Sequence, residues 1–241
     1  MSERPSRGIS QTRLVYERLR TAIVGGRLLP GSKLNIAALA EEIEVSAGAV
    51  REGLAMLEAE ALVVSEPARG YRVSPVSAVE LLHLVKARIE IEKLCLAEAI
   101  RHGDLDWEGG IVSAFHRLSR VAERDPERPS QLSAEWAQSH GEFHRALVAG
   151  CPNQWLLRMH QILYQQSERY RQLSAPLSMT ERDVKGEHQA LVDAVLHRDI
   201  ESAQALIAEH LDNTAQLLLN CPHLALSPAD DASGKVAVSP A

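Results

Sequence analysis

Ten histidines occur among the 241 residues, and four of them have spacings that could bring their rings together. His140 and His144 are four residues apart, so on a helix they project from one face, one turn apart. His188 and His210 lie about ten residues before and eleven residues after a tight bend near residues 198–199. At about 1.5 Å per helical residue, an antiparallel helix pair would hold these two rings at the same height. The spacing therefore predicts that four imidazoles converge from three helices.

Convergent neutral imidazoles are common ligands of zinc, nickel, copper and iron, and the core of a helix bundle often holds such sites. We therefore predict a divalent-metal site, with zinc as the first candidate and nickel or another transition metal as alternatives. Each histidine taken alone has a simpler interpretation, as a surface residue or a hydrogen-bonded core residue. The other six, which include His116, His160 and His197, show no matching arrangement and are predicted to be structural.

The elements that would position these histidines are helices. Beyond residue 76 apolar residues recur at i, i+3 and i+4, and no strand pattern interrupts them. The helices are predicted near 77–102, 105–124, 131–149, 153–173, 180–197 and 200–219. Six helices imply an all-α bundle over residues 76–220. The remainder, residues 221–241, is rich in Ala, Ser, Pro and Asp and is predicted to be a disordered tail.

The segment 34–73 has the pattern of a winged helix-turn-helix. Apolar residues recur at near-helical intervals from Leu34 to Ile43 and again from Val50 to Leu57. Two helices joined by a turn of about four residues form a helix-turn-helix. The hydroxyl of Ser46 can cap the second helix. This helix therefore begins where DNA-binding proteins present their base-facing residues.

A two-stranded wing with a basic tip is predicted after the second helix. Beyond Ala61 the pattern changes from helical to extended, with LVVSE and YRVSP on either side of a turn at 67–70. Because a guanidinium can reach a base edge or a phosphate, Arg51 and Arg69 are the main predicted DNA contacts. The alternative is a small helical bundle with a surface hairpin and solvated arginines. The predicted DNA-binding residues are Ser46, Ala47, Gly48, Arg51, Arg69, Gly70 and Tyr71.

Length, charge and cysteine content agree with a two-domain cytoplasmic DNA-binding protein. Hydrophobic residues make up 45% of the chain, enough for real cores. Residues 1–75 contain 10 lysines and arginines against 9 acidic residues, whereas the whole chain has a formal net charge of −6. DNA binding requires only that the contacting face be basic.

Three cysteines without metal-type spacing suit a reducing cytosol. No apolar run approaches the roughly 18 residues of a membrane span, so no membrane partner is expected.

The first 75 residues resemble the GntR family of bacterial transcription regulators. YERLRTAIVGGRLLPGSKL resembles the opening helix and turn of that family, VSAGAVREGL its recognition helix and ARGYRV its wing. The resemblance implies a winged helix-turn-helix domain, residues 1–75, that binds double-stranded operator DNA. Most relatives have Arg-Thr-Pro or similar after the capping serine, whereas this chain has Ala47, Gly48 and Ala49. Small residues can approach a groove closely but form no bidentate base contacts, so Arg51 carries more of the expected specificity.

Residues 78–220 resemble the FCD ligand-binding domain of the FadR-like division of this family. The segments ARIEIEKLCLA, EFHRALVAGCPNQWL, GEHQALVDAV and IAEHL carry the resemblance. In metal-binding members an aspartate and three histidines hold a divalent ion, which implies His144, His188 and His210 as ligands, with His140 at the aspartate position. The segment YQQSERYRQLS is similar to the branch of carbon-starvation-induced (CsiR-type) repressors, which implies glutarate or a related dicarboxylate as the effector.

A small carboxylate effector also follows from the chemistry of such a site. A metal held by imidazoles can accept an oxygen ligand, and a guanidinium can bind the other end of a diacid. Arg88 resembles the family arginine on the first helix of the ligand domain, and Arg169, with Gln165 one turn earlier, is a second candidate. Arg88 also has an alternative partner in Glu92, one turn away on the same helix.

The predicted function is a repressor that binds a two-fold operator as a homodimer and responds to an effector in the helical domain. Two alternatives stay open. The helical domain could serve dimerisation alone and bind no ligand. A metal-dependent enzyme is less favoured, because the glutamate of SHGEFH is displaced by one position from the H-E-x-x-H pattern of zinc proteases.

Overall fold

The computed structural model describes residues 10–67, 69–127, 131–174 and 182–219. These residues are mainly helical, which confirms the predicted fold class. We call residues 10–73 the head and residues 77–219 the bundle. The tail predicted at 221–241 lies outside the described residues. In chain order the elements are α1 (Gln11–Val24), β1 (Lys33–Leu34), α2 (Ile36–Ile43), α3 (Ala47–Ala59), β2 (Val63–Glu66), β3 (Gly70–Val73), α4 (Ala78–His102), α5 (Leu105–Leu118), α6 (Ala134–Val148), α7 (Gln154–Ser174), α8 (Val184–Leu196) and α9 (Ile200–Leu219).

The helix-turn-helix of the head consists of α2 and α3. Glu44 ends α2 in the left-handed conformation, with φ of 61°. The hydroxyl of Ser46 then accepts a hydrogen bond from the amide of Ala49, with 3.1 Å between the heavy atoms. This bond satisfies one of the unpaired amides at the start of α3 and confirms the predicted cap.

The wing is the hairpin of β2 and β3. The two strands pair antiparallel, with Glu66 opposite Gly70 at the turn. Gly70 has φ of 88°, a conformation that a residue with a side chain adopts only under strain. The glycine is therefore required by the tight turn and brings the backbone of the wing tip to the surface.

The head contains a third strand that the sequence does not predict. Leu34 lies in β1 and pairs with Tyr71 of β3, which gives a three-stranded sheet in the order β1-β3-β2. The near-helical spacing from Leu34 therefore begins before the helix does, and the two predicted wing strands belong to a sheet of three strands. The physical reason is the side chain of Asn35, which accepts hydrogen bonds from the amides of Ala37 and Ala38. Asn35 is therefore the N-cap of α2, and the helix begins at the next residue.

The core of the head fixes α3 on α1. Val15 and Leu19 of α1 are buried against Leu54 and its neighbours on α3. At Gly53 the two helices approach so closely that a Cβ atom would lie 2.7 Å from Cγ1 of Val15. The helix that presents the predicted DNA-binding residues is thus held rigidly by its opposite face.

The bundle packs α4 along α7 and α9, α5 along α6, and α8 along α9. One apolar cluster joins these helices and includes residues that are at most 1% exposed, among them Leu96, Ile111, Phe143, Leu191 and Ile207. Because α6, α8 and α9 all contribute to this cluster, the side chains on their inner faces meet near the bundle centre.

Five of the six predicted bundle helices agree with the structure within a few residues at the described ends, but α5 is shorter than predicted. It ends at Leu118 rather than at residue 124. The chain then turns back on itself, because the amide of Ser133 donates to the carbonyl of Glu123 and residues Arg124 and Leu132 form an antiparallel bridge. These bonds replace the helical ones after Leu118.

The helix α7 joins the bundle to the head. The side chain of Gln166 donates to the backbone carbonyl of Glu60, and Arg169 donates to the carbonyl of Ser74, with 2.8 Å between the heavy atoms. Arg169 is 2% exposed, and burial lowers its pKa. A buried guanidinium that is bonded to the segment between head and bundle ties the two parts together.

Candidate functional site

The predicted DNA-binding residues of the helix-turn-helix lie at the start of α3 and face solvent. Ser46, Ala47 and Gly48 are exposed around the helix N-terminus, and Arg51 is exposed one turn later. Neighbouring Glu52 is bonded to the hydroxyl of Thr12 on α1. The small exposed residues at the first turn of α3 therefore allow another molecule to approach the helix backbone closely. The guanidinium of Arg51 lies one turn further along the same helix.

The predicted wing residues form the second exposed surface of the head. Arg69 and Gly70 are exposed, and the amide of Arg69 donates to the carbonyl of Glu66 to close the turn. Tyr71 is half-buried within β3. The wing tip therefore presents a guanidinium at the end of a defined hairpin, whereas Tyr71 is partly engaged in the sheet.

The four predicted histidines come together in the bundle. His140 and His144 lie on α6, His188 on α8 and His210 on α9, and each is at most 5% exposed. One ring nitrogen from each lies within 4.8 Å of those of the other three. The Nε2 atoms of His140 and His144 are 3.2 Å apart.

This cluster fits the requirements of a divalent metal ion. With Zn–N bonds of about 2.0–2.1 Å, two ligands of a tetrahedral ion lie roughly 3.3 Å apart, close to the separation of the two α6 histidines. Among the residues that the structure describes, Nε2 of His188 is buried and has no hydrogen-bond partner. A buried polar atom of this kind points to a missing ligand or water. The widest separations exceed the tetrahedral edge, so some rings must close in to hold an ion.

Burial keeps the four imidazoles in the neutral form that metal ligation requires. It lowers the pKa of all four rings below the ordinary histidine value, and neighbouring positive charges lower each of these pKa values further. At His210 the hydrogen bond from the ring to Glu187 opposes this effect in part. Neutral rings leave one lone pair each for a cation.

The ring of His210 is oriented by a carboxylate. Its Nδ1 atom lies 2.8 Å from Oε2 of Glu187, so the hydrogen is on Nδ1 and Nε2 carries the lone pair. Arg182 in turn donates to Glu187 and to the carbonyl of His210. Burial favours the neutral acid, but the bonds from His210 and Arg182 hold the pKa of Glu187 at about 2. A carboxylate behind a histidine is the usual arrangement around metal ligands.

His140 has a different environment from the other three. Its ring stacks on Trp136, with 4.7 Å between centroids, and its Nδ1 atom lies 2.8 Å from a guanidinium nitrogen of Arg171. The hydroxyl of Tyr164 lies 3.2 Å from the same Nδ1 atom. Arg171 also pairs with Glu168.

A cavity adjoins the cluster on the side of His140 and His210. Arginine side chains line it, including Arg88, Arg171 and Arg182, against the acidic Glu123 and Glu168. The excess of guanidinium groups makes the cavity suited to an anion. Sequence reasoning missed two of these arginines, Arg171 and Arg182. In the segment SERYRQ the sequence favours Arg169 as an effector residue, whereas Arg171 shares a helical face with Tyr164 and Glu168.

The predicted effector residues are separated in the structure. Arg88 lines the cavity and also pairs with Glu92, at 3.1 Å. Gln165 lines a different cleft, between α7 and the turn that follows α1. Arg169 is bonded to Ser74 and lies outside the residues that line the arginine-rich cavity. The three therefore do not form one site, because positions 165 and 169 face the head.

Beside the site, Nε2 of the buried His160 lies 3.2 Å from Oε1 of Glu92. Burial favours the neutral acid, yet His160 and Arg88 hold the pKa of Glu92 at about 2. The Arg88 guanidinium also lies over the ring of Tyr164, at 4.9 Å from its centroid. This network fixes the side chain of Arg88 at the cavity wall.

Comparison with known proteins identifies the class. Residues 11–73 match the family described as bacterial regulatory proteins, gntR family, and residues 83–213 match the FCD domain. The chain therefore belongs to the GntR family, in the division that carries an FCD domain, and is a DNA-binding transcription regulator. The relatives of this chain are regulators and not enzymes.

Two curated relatives cover most of the chain. The uncharacterized HTH-type transcriptional regulator BphR of Paraburkholderia xenovorans (strain LB400) is 40% identical over 203 residues, which are 84% of this chain and 83% of that protein. The HTH-type transcriptional repressor GlaR of Escherichia coli (strain K12) is 34% identical over 201 residues, 81% of this chain and 90% of that protein.

Solved structures share the fold. E. coli McbR/YncC superposes with a TM-score of 0.73 at 20% identity and covers 88% of this chain and 98% of its own. A putative GntR regulator from Rhodococcus sp. RHA1 has a TM-score of 0.70 at 22% identity, with 86% and 97% covered. In the part of the chain that the structure describes, no helix is both long and apolar enough to cross a membrane.

Replacing Glu187 by Ala removes the acceptor that orients His210. We expect the affinity for Zn²⁺ to fall by about 10- to 100-fold, the usual effect of losing such a partner. Competition with a chromophoric chelator measures it. Glu209→Ala removes an exposed carboxylate next to His210 in the sequence and serves as the control. Equal zinc affinities for the two variants would contradict the role assigned to Glu187.

Proposed function

We propose that this protein is a cytoplasmic repressor whose operator binding is controlled by a small carboxylate bound beside a metal ion in the bundle. The observation that carries the proposal is the position of the four buried histidines next to an arginine-rich cavity. The chain matches a DNA-binding family over residues 11–73 and the FCD domain over residues 83–213, and this order of domains supports the same proposal. Repression is the function that the name of GlaR states for that relative.

Operator DNA is contacted by two surfaces of the head. The start of α3 enters the major groove, where Arg51 reaches base edges or phosphates and the small residues Ala47 and Gly48 allow close approach. The wing adds Arg69 at its tip, with the backbone of Gly70 beside it. Ser46 keeps the first turn of α3 ordered through its capping bond.

The metal site consists of His140, His144, His188 and His210. Zinc is the first candidate, because four nitrogen donors at these separations suit its tetrahedral geometry, and nickel or another transition metal is the alternative. A divalent ion held there would supply a positive charge that attracts the carboxylate of an effector in the adjoining cavity. The residues themselves hold the ring orientations, through Glu187 behind His210 and Trp136 against His140.

The effector is a small dicarboxylate, for which glutarate is the first compound to test. One carboxylate lies toward the histidines, and the other is held by guanidinium groups, which bind carboxylates bidentately. Arg88, Arg171 and Arg182 line the cavity that would hold it. Of the two other predicted effector residues, Arg169 is assigned to the contact with Ser74 and Gln165 to the separate cleft.

The helix α7 couples the two sites. Tyr164, Glu168 and Arg171 lie on its face toward the histidines, and Gln166 and Arg169 bond the head. A shift of α7 on effector binding therefore changes the position of the head relative to the bundle. A free-energy difference of about 1–3 kcal/mol between the two arrangements is enough to change operator occupancy.

A homodimer presents two heads to a two-fold operator. Exposed apolar residues support an interface on the bundle: Trp155, Met159 and Ile162 form a stripe along α7, and Trp155 is 69% exposed. Such a stripe on a soluble domain marks an interaction surface. The alternative, in which the bundle only dimerises, remains a distinct outcome of the ligand experiment below.

Replacing Arg51 by Ala removes the guanidinium that carries most of the expected specificity. We expect affinity for the upstream DNA of the protein's own gene to fall by about 5- to 150-fold, equivalent to about 1–3 kcal/mol. Fluorescence anisotropy at fixed salt measures this. Arg101→Ala removes an exposed charge from the bundle and is the control. An unchanged affinity for Arg51→Ala would contradict the assigned orientation of α3.

Zinc and glutarate should stabilise the folded protein. A ligand at 100 times its dissociation constant contributes about 2.7 kcal/mol by mass action, which raises the melting temperature by several degrees. We expect Zn²⁺ to raise it, glutarate to raise it further, and a chelator to abolish both effects. His188→Ala should lose the response, and His116→Ala, which changes an exposed histidine on α5, should keep it. A flat response to metals and acids would favour the dimerisation-only alternative.

A further inference from the structure

The hydrogen bond between Arg171 and His140 decides which nitrogen of His140 carries the hydrogen. Arg171 approaches Nδ1 of His140 with 2.8 Å between the heavy atoms. A guanidinium has donors only and no lone pair with which to accept. The Nδ1 atom must therefore be the acceptor, and it carries the lone pair.

A neutral imidazole has a single ring hydrogen, so in His140 that hydrogen lies on Nε2. The Nε2 atom faces the cluster and lies 3.2 Å from Nε2 of His144, to which it can donate. His210 has the opposite arrangement, because its Nδ1 hydrogen is given to Glu187 and its Nε2 lone pair is left for a cation. His140 thus presents a hydrogen to the position where His210 presents a lone pair.

We propose that Arg171 and a divalent cation compete for His140, and that an anion in the adjoining cavity decides the competition by drawing Arg171 away. With Arg171 on His140, the cluster offers only the other three histidines as ligands. When Arg171 leaves, the ring hydrogen of His140 moves to Nδ1 and Nε2 becomes a fourth ligand. His140 stays neutral throughout, and no proton enters or leaves the site. This inference rests on the metal site proposed above.

The surroundings of His140 can accommodate both states. The hydroxyl oxygen of Tyr164, 3.2 Å from Nδ1, can accept the hydrogen in the four-ligand state. Arg171 already lines the cavity and pairs with Glu168 there, so it can turn toward an anion without crossing the core. The stacking of His140 on Trp136 holds the ring in place during the exchange.

The consequence is that metal and anion binding strengthen each other. A cation at the cluster disfavours the state in which Arg171 donates to Nδ1 of His140. An anion in the cavity stabilises the state in which Arg171 has turned away from His140. By thermodynamic linkage each ligand must raise the affinity for the other by the same factor. An aspartate in place of His140 would have no ring tautomer through which Arg171 could act, so the mechanism depends on the histidine at this position.

The first test measures zinc affinity of the full-length protein by chelator competition, with and without glutarate. Arg171→Gln provides an amide oxygen that can accept the Nδ1 hydrogen, so we expect it to bind zinc at least about tenfold more tightly than the unmodified protein. Glutarate should tighten zinc binding several-fold in the unmodified protein and have little effect in the variant. The control is Arg182→Gln, which also removes one positive charge. The Arg182 guanidinium donates to Glu187 and to the carbonyl of His210, and not to His140. Equal tightening by Arg182→Gln would overturn the proposal, because charge alone would then explain the result.

The second test reads the tautomer directly and needs no variant. Long-range ¹H–¹⁵N spectra of the histidine-labelled protein should show the hydrogen of His140 on Nε2 without metal, and on Nδ1 with zinc and glutarate. A hydrogen on Nδ1 in the metal-free protein would overturn the proposal. Failure of zinc to bind any form would overturn the metal site itself, whereas equal zinc affinity of Arg171→Gln and the unmodified protein would overturn only the competition.

Discussion

The bundle is constrained by the burial of imidazole and guanidinium groups in an otherwise apolar core. A buried charge costs several kcal/mol unless it is paired, and a guanidinium cannot lose its charge to avoid that cost. Three of the arginines that line the cavity are matched to carboxylates: Arg88 pairs with Glu92, Arg171 with Glu168 and Arg182 with Glu187. The imidazoles meet the same constraint by staying neutral.

The same buried groups connect the proposed ligand site to the head through hydrogen bonds of α7. The residues that satisfy the buried groups around His140 are on α7, and α7 is also the helix whose opposite face bonds the head. Arg169 and Arg171 are two residues apart, yet one is bonded to Ser74 and the other to His140. Because a helix is stiff over this distance, a change at one residue is transmitted to the other. The proposed coupling therefore depends on one packed helix rather than on a long chain of contacts.

The sequence predicts the fold class, the capping of α3 and the convergence of the four histidines, because helical periodicity places residues on faces and tight turns align neighbouring helices. It does not predict β1, since a two-residue strand has no period to detect and depends on pairing with distant Tyr71. The sequence also does not predict the early end of α5. That end depends on hydrogen bonds between residues 123–125 and 131–133, which replace the helical ones and have no periodic pattern in the sequence. In the site, Arg169 was selected over Arg171 because residue type alone does not reveal which helix neighbours each face of α7. Glu187 was missed although it precedes His188 directly.

We propose above all that occupation of the histidine and arginine site changes how tightly the head binds DNA. The most direct measurement is the ratio of operator dissociation constants of the zinc-loaded protein with and without saturating glutarate, for the unmodified chain and for Arg169→Met, which breaks the bond to Ser74. We expect a ratio of about 5 or more for the unmodified chain and a ratio near 1 for the variant. A ratio near 1 in the unmodified chain, with glutarate binding verified by calorimetry, would contradict the claim.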